Sequence, residues 1–133
     1  MNDGSIEVAA LMPFAATLGI AATEATPRRV VCSLAYRPEL TTAGGAVHGG
    51  ALMTLADCAG AVLAFLNLPK GTGTATTSST TSFLSAATAG TLTATATPIK
   101  IGRQVIVVQT TIADDAGRPL TTTLATQQVL TVR

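Results

Sequence analysis

Residues 47–66 set the terms on which this chain can fold. The run reads Val-His-Gly-Gly-Ala-Leu-Met-Thr-Leu-Ala-Asp-Cys-Ala-Gly-Ala-Val-Leu-Ala-Phe-Leu. From Ala51 to Leu66 almost every side chain is apolar, so a helix here is greasy all round and belongs inside a protein or a membrane. A spanning helix needs about 20 apolar residues and tolerates a central carboxylate poorly. This run is shorter and carries Asp57 near its middle, which predicts a central helix wrapped by a sheet. Asp57 is also the only acidic residue between Glu39 and Asp114. Burying a carboxylate costs several kcal/mol unless it is paired or hydrogen-bonded. A chain this sparing with charge has placed one where it is expensive, which marks Asp57 as a candidate site residue.

The remaining composition narrows the function classes. At 133 residues the chain is expected to form one domain, residues 1–133, with a workable core. Eight Lys and Arg face seven Asp and Glu, and no basic patch or aromatic ladder suggests nucleic acid. Cys32 and Cys58 have no metal-ligand spacing and read as buried thiols, so no metal site is expected. Met1 to Ser5 lacks the basic stretch of a secretion signal, which predicts a cytoplasmic protein with no membrane partner. The hydrophobic fraction of 47% leaves little polar surface and predicts that some apolar surface lies in a subunit interface.

Ser5 to Leu18 reads as an amphipathic helix with Ser5 as N-cap and Val8, Leu11, Met12, Ala15 and Leu18 on its apolar face. Pro13 should kink or split it, and Gly19 should stop it. Ile20 to Thr26 and Arg29 to Tyr36 read as strands, the second with Val30, Cys32, Leu34 and Tyr36 on its more apolar face. Thr41 to Gly45 is a turn-forming loop, and the central helix follows, ending near Leu68-Pro69. Thr74 to Leu84, Thr91 to Ile101, Val105 to Ala113 and Leu120 to Val132 are four β-branched-rich runs. Thr91 to Thr97 alternates strictly, with Leu92, Ala94 and Ala96 on one face. Short connections predict antiparallel hairpins, and the lack of alternating helices argues against a parallel sheet. The expected class is α+β, an antiparallel sheet curled around one long helix.

Gly49 and Gly50 stand where a loop becomes a helix. Unpaired N–H groups and the positive dipole end suit a carbonyl that acquires negative charge, and glycine lets a ligand approach. A plain Gly-Gly helix start is the other reading. His48, the only histidine, could stabilise an oxyanion or act as acid or base, or its ring could hydrogen-bond neighbouring backbone and shape the turn. No Gly-x-Ser-x-Gly elbow is present for a serine hydrolase. Gly49 and Asp57 lie eight residues apart, about 12 Å along a helix and on different faces. An attacking group and an oxyanion donor must both lie within about 3 Å of the reacting centre. If both residues are catalytic, Gly49 of one subunit works with Asp57 of another, and a twofold dimer is the simplest arrangement.

The segment Gly45-Ala46-Val47-His48-Gly49-Gly50, with Leu55-Ala56-Asp57 following, resembles the signature of hotdog-fold acyl-CoA thioesterases. The subgroup it is most similar to comprises the phenylacetate-pathway and 4-hydroxybenzoyl-CoA thioesterases. Phe83-Leu84 with Gly90 to Ala94 resembles the family's strand pair after the helix, and Gly102-Arg103 its next hairpin. The resemblance implies hydrolysis of an acyl-CoA to a free acid and coenzyme A, in a homodimer or a dimer of dimers, with no cofactor beyond the coenzyme A of the substrate. It gives the Gly49 N–H to the thioester oxygen, with His48 orienting or assisting in the catalytic group. It makes Asp57 of the facing subunit the nucleophile or the base that activates water. Gly50 would line the substrate site, and Thr76 or Thr77 falls where some relatives position water with a hydroxyl. Thr42 stands where the family often has an Asn or Gln that contacts the substrate or helps fix the site, a substrate contact that Thr42 would make with shorter reach, and Ser85-Ala86 stands where it commonly has Arg-Pro. The latter removes a phosphate-binding charge and leaves Lys100 and Arg103 among the cations that could meet the coenzyme A phosphates. A non-catalytic acyl-CoA-binding domain is the alternative, against which an acid beside an acyl chain argues.

Overall fold

A computed structural model describes residues 7–131. Helices α1 (Val8–Leu11) and α2 (Pro13–Leu18) are separated at Met12, whose backbone is extended, and Pro13 opens the second piece. Proline cannot donate the amide that a continuous helix needs. Gly19, with φ at 83°, closes α2 in the left-handed region. The expected N-cap, Ser5, lies outside the described residues. On the predicted apolar face Val8 and Ala15 are buried, whereas Leu11 is exposed.

Strands β1 (Ala21–Thr26) and β2 (Arg29–Ala35) form a hairpin, and a short 3-10 turn, Pro38–Leu40, leads into the loop before α3 (Gly49–Leu66). Four strands follow: β3 (Thr72–Phe83), β4 (Thr91–Ile101), β5 (Val105–Ala113) and β6 (Pro119–Thr131). The six-stranded sheet runs β1-β2-β4-β5-β6-β3, antiparallel throughout, and curls around α3. The α+β architecture of the sequence is the architecture found, and Val132, the expected end of the last strand, is outside the described residues.

One connection differs from expectation. β3 and β4 are not a strand pair: β3 lies on the sheet edge against β6, while β4 sits between β2 and β5. The reason lies in their faces. β4 turns Leu92, Ala94 and Ala96 onto the helix with no exposed surface, which suits a central strand. β3 is Thr- and Ser-rich, mostly exposed, and has no such face. The link from Leu84 to Gly90 therefore carries the chain across to β2, and Ala87 accepts the Val47 N–H at 2.9 Å on the way.

The core lies between α3 and the inner sheet face. Leu55 and Leu63 have no exposed surface, and full burial of such a side chain is worth about 1.5–3 kcal/mol. α3 is long and apolar enough to cross a membrane, with a mean hydropathy of 1.7, yet half of it is buried against the strands. It is not covered all round. Gly50, Met53, Asp57 and Phe65 form an exposed stripe at helical spacing. Asp57 is therefore exposed in the single chain, not desolvated as its apolar neighbours in sequence implied. Those neighbours occupy other faces of the helix.

Candidate active site

The helix start is built by a turn that spends His48 on its own backbone. His48 is the N-cap of α3, and its Nδ1 accepts the Gly50 N–H at 2.8 Å. Its main-chain N–H donates to Leu40 at 2.8 Å, which ties the turn to the 3-10 segment. Among the described residues the Gly49 N–H has no protein acceptor. The first amides of a helix have no intrahelical partner, so this donor is free for a ligand. Side-chain space at Gly49 is also taken: a Cβ would lie 3.2 Å from the Phe83 ring.

Gly49 and Asp57 do not share a cavity. Gly49 lines an apolar cleft of about 360 Å³ with Val47, Leu52, Phe83 and the Leu84–Ala87 link. His48 and Gly50 face another, of about 430 Å³, with Phe14, Leu40 and Thr54. Asp57 faces a third, of about 340 Å³, with Phe14, Met53, Thr54 and Ser79. The last two share Phe14 and Thr54 and so adjoin along the Gly50 to Asp57 part of the exposed stripe of α3.

On the β3 side, Thr76 is brought to Asp57. Its hydroxyl donates to Asp57 Oδ1 at 3.3 Å, while Thr77 turns away and donates to the Thr126 carbonyl at 3.4 Å. A bulge between Thr76 and Ser78 accounts for the difference, since an extra residue re-aims the side chains around it. Thr42 is exposed in a loop closed by its own main-chain bonds to Ala46 and Gly45 and lines none of these cavities; its neighbour Thr41 does. Lys100 and Arg103 lie apart from both glycine and acid, in a polar cavity of about 580 Å³ on the β4–β5 hairpin. Neither is in a salt bridge with a described residue.

The cysteines stand behind the site. Both are buried free thiols. Burial pushes Cys58 up to about 11, helped by the adjacent Asp57 charge, and Cys32 up to about 12, helped by Cys58. Among the described residues no three His, Cys, Asp or Glu side chains converge to hold a metal. Sequence reasoning missed Phe83, Ser79 and Gln127. Gln127 had a signal: it falls in phase with Thr121, Thr123 and Ala125, the set that β6 turns inward.

The family model of the thioesterase superfamily matches residues 44–121. No curated protein matches the chain. A thioesterase family protein from Silicibacter pomeroyi superposes with a TM-score of 0.87 at 28% identity, over 92% of this chain and 93% of that one. AziG from S. sahachiroi gives 0.87 at 27% identity, over 92% and 99%. A thioesterase from Haemophilus influenzae gives 0.85 at 24%, over 90% and 83%, and bears on the fold alone.

Proposed function

The chain belongs to the thioesterase superfamily and has its hotdog fold, and from that premise we propose that it hydrolyses an acyl-CoA thioester to a free acid and coenzyme A. The observation that carries this reading is the pairing of features on α3: a helix-start N–H without a protein partner at Gly49, and a carboxylate at Asp57 held by Thr76 on an open face. The thioester oxygen sits on the Gly49 N–H. As the carbonyl carbon becomes tetrahedral, the C=O electron pair moves onto that oxygen, and the N–H stabilises the charge. Asp57 takes a proton from a water whose hydroxyl adds to the carbon, or it adds directly and water opens the resulting anhydride. In the first route collapse breaks the carbon–sulfur bond and the departing thiolate receives the proton from Asp57. In the second the thiolate leaves as the anhydride forms, and the water that opens the anhydride supplies the proton the thiolate takes up.

The two groups come from different protomers. Their separate cavities in one chain support this, as does an edge available for pairing. β3 is twelve residues long, and among the described residues only one of its edges is taken, by β6. An unpaired strand edge is a template for another strand. Beside it, around Ser79, lie Phe14 and Met53, which are 61% and 42% exposed. A twofold pairing of β3 with its copy covers this face and gives a continuous sheet; two such dimers can associate further. In this reading Gly50 and Thr54 line the substrate groove. Lys100 and Arg103 meet the coenzyme A phosphates as a solvated rim. The mainly apolar lining around Gly49, with Leu52 and Phe83 beside Ala46, Ala86 and Ala87, suits an aryl-acetyl or a short-to-medium aliphatic acyl group of the kind handled by the phenylacetate-pathway subgroup, in the cytoplasm.

The test is release of free thiol from phenylacetyl-, benzoyl-, butyryl- and hexanoyl-CoA, read with a thiol reagent. At least one should be turned over, and Asp57→Ala should abolish the turnover while the protein stays dimeric. An Asp57→Ala protein with a near-wild-type rate would remove the acid from the mechanism. Binding of all four without turnover would favour the non-catalytic domain.

A further inference from the structure

Gln127 is a buried amide on a sheet face whose other buried polar side chains are all threonines. It sits on the inner face of β6, 1% exposed, between Ile106 on β5 and Thr76 on β3, with which it is in register. Burying an amide is costly unless its groups are bonded, and an apolar side chain in that position would avoid the cost. Its bonds form a directed chain. Thr74 Oγ1 donates to Gln127 Oε1 at 3.1 Å, Gln127 Nε2 donates to Thr76 Oγ1 at 2.8 Å, and Thr76 Oγ1 donates to Asp57 Oδ1 at 3.3 Å.

The direction follows from proton counting. An ionised carboxylate only accepts, so Thr76 must give its single hydroxyl proton to Asp57. A group on β6 that bonds the Thr76 hydroxyl must then donate to it. An amide N–H does; a carboxylate there would compete for the same proton. Donation into Thr76 also strengthens the bond that Thr76 makes, since successive hydrogen bonds polarise one another. Among the described residues Thr76 is the only hydrogen-bond partner of Asp57, so this chain alone fixes Oδ1 and leaves Oδ2 unbound.

We propose that Gln127 is a positioning residue for the reaction: acting through Thr76, it holds Asp57 Oδ1 and turns Oδ2 toward the substrate. This rests on the reading of Asp57 as the reacting carboxylate. Steady-state kinetics on the best acyl-CoA of the panel test it. Gln127→Leu should lower kcat about 10- to 100-fold, the range expected when a reacting group is misplaced, with KM within about twofold. Thr76→Val should do the same, Thr76→Ser should retain most of the rate, and Gln127→Leu added to Thr76→Val should cost nothing more. Gln127→Glu should be as slow as Gln127→Leu. Should Gln127→Leu fail to fold, Gln127→Met replaces it, and Gln127→Glu compared with Thr76→Val reads the same link. An unchanged kcat, or losses that multiply in the double variant, overturns the role of Gln127 while an inactive Asp57→Asn keeps the active-site reading. An active Asp57→Asn overturns both, because the chain would then end on a carboxylate with no task.

Discussion

The His48 ring and the Gly50 N–H are joined by a 2.8 Å hydrogen bond, and that bond decides which amide of the helix start is left over. With Gly50 satisfied, the neighbouring Gly49 N–H is the donor without a protein acceptor among the described residues. Removing it alone is feasible. Gly49 is the first residue of α3, where proline is favoured because that N–H has no helical partner. His48, at φ −59° and ψ 135°, already has the extended backbone that a residue before proline requires. Gly49→Pro should therefore keep the thermal midpoint close to wild type. The Phe83 ring, which is half exposed, can yield to the added carbons. Thioester hydrolysis should fall about 100- to 1000-fold in kcat, the usual loss for one oxyanion donor. A Gly49→Pro protein of normal rate would take the oxyanion role away from this amide.

His48 is expected to matter for stability as a cap. Losing a side-chain cap costs about 0.5–2 kcal/mol, and the Gly50 N–H would be orphaned at the same time. His48→Ala should lower the unfolding free energy by that amount in denaturant titration. His48→Asn should recover most of it, because Asn is among the best N-caps. If His48→Asn also restores the rate that His48→Ala loses, the ring is a turn-builder and not an acid or base. A stable but inactive His48→Asn would give the imidazole a chemical part.

What could be read in the sequence, and what could not, follows from how local each signal is. The β4 alternation of Thr with Leu92, Ala94 and Ala96 is local, and the strand lies as read, with that face buried. The break at Pro13 and the stop at Gly19 are equally local. The position of β3 is not. A Thr- and Ser-rich run pairs as well with β4 as with β6, and only the competition of all strands for the helix face puts it on the edge. The exposed stripe on α3 was illegible for a related reason. Met53 and Phe65 are as apolar as the buried Leu55 and Leu63, so composition alone cannot tell the covered face from the one left open. The resemblance offers Thr76 or Thr77 only as a hydroxyl that positions water; that Thr76 bonds Asp57 is new in the structure, and the bulge that separates the two threonines has no sequence signature here.

The buried thiols give a pH prediction. Cys32 is raised from 9.0 to about 12 and Cys58 from 9.0 to about 11, in both cases first by burial. The native chain thus keeps protons that the unfolded chain gives up above pH 9.0. Stability from these groups is complete below that pH and declines as pH rises toward the folded values. Denaturant titrations between pH 7 and 10.5 should show the decline, and Cys32→Ala should flatten it. In the native state neither thiol should react with a thiol reagent at neutral pH, and both should react after denaturation. Rapid native labelling would mean that one of them is not enclosed.

The division of one reaction centre between two protomers can be tested with two inactive proteins. Asp57→Asn lacks the acid and Gly49→Pro lacks the donor, so homodimers of either have no complete site. In a mixed twofold dimer, one site combines both defects. The other site pairs an intact Gly49 amide with an intact Asp57 carboxylate. Random exchange of equal amounts makes half of the dimers mixed, each with one working site of two, so activity should return to about a quarter of wild type. Refolding the two variants together, against each refolded alone, measures it. If instead donor and acid act from the same chain, the intact pair never arises in the mixture, and the activity stays at the level of the parents. Unlike any single substitution, the result depends on which chain supplies which group, because both variants are equally damaged before mixing.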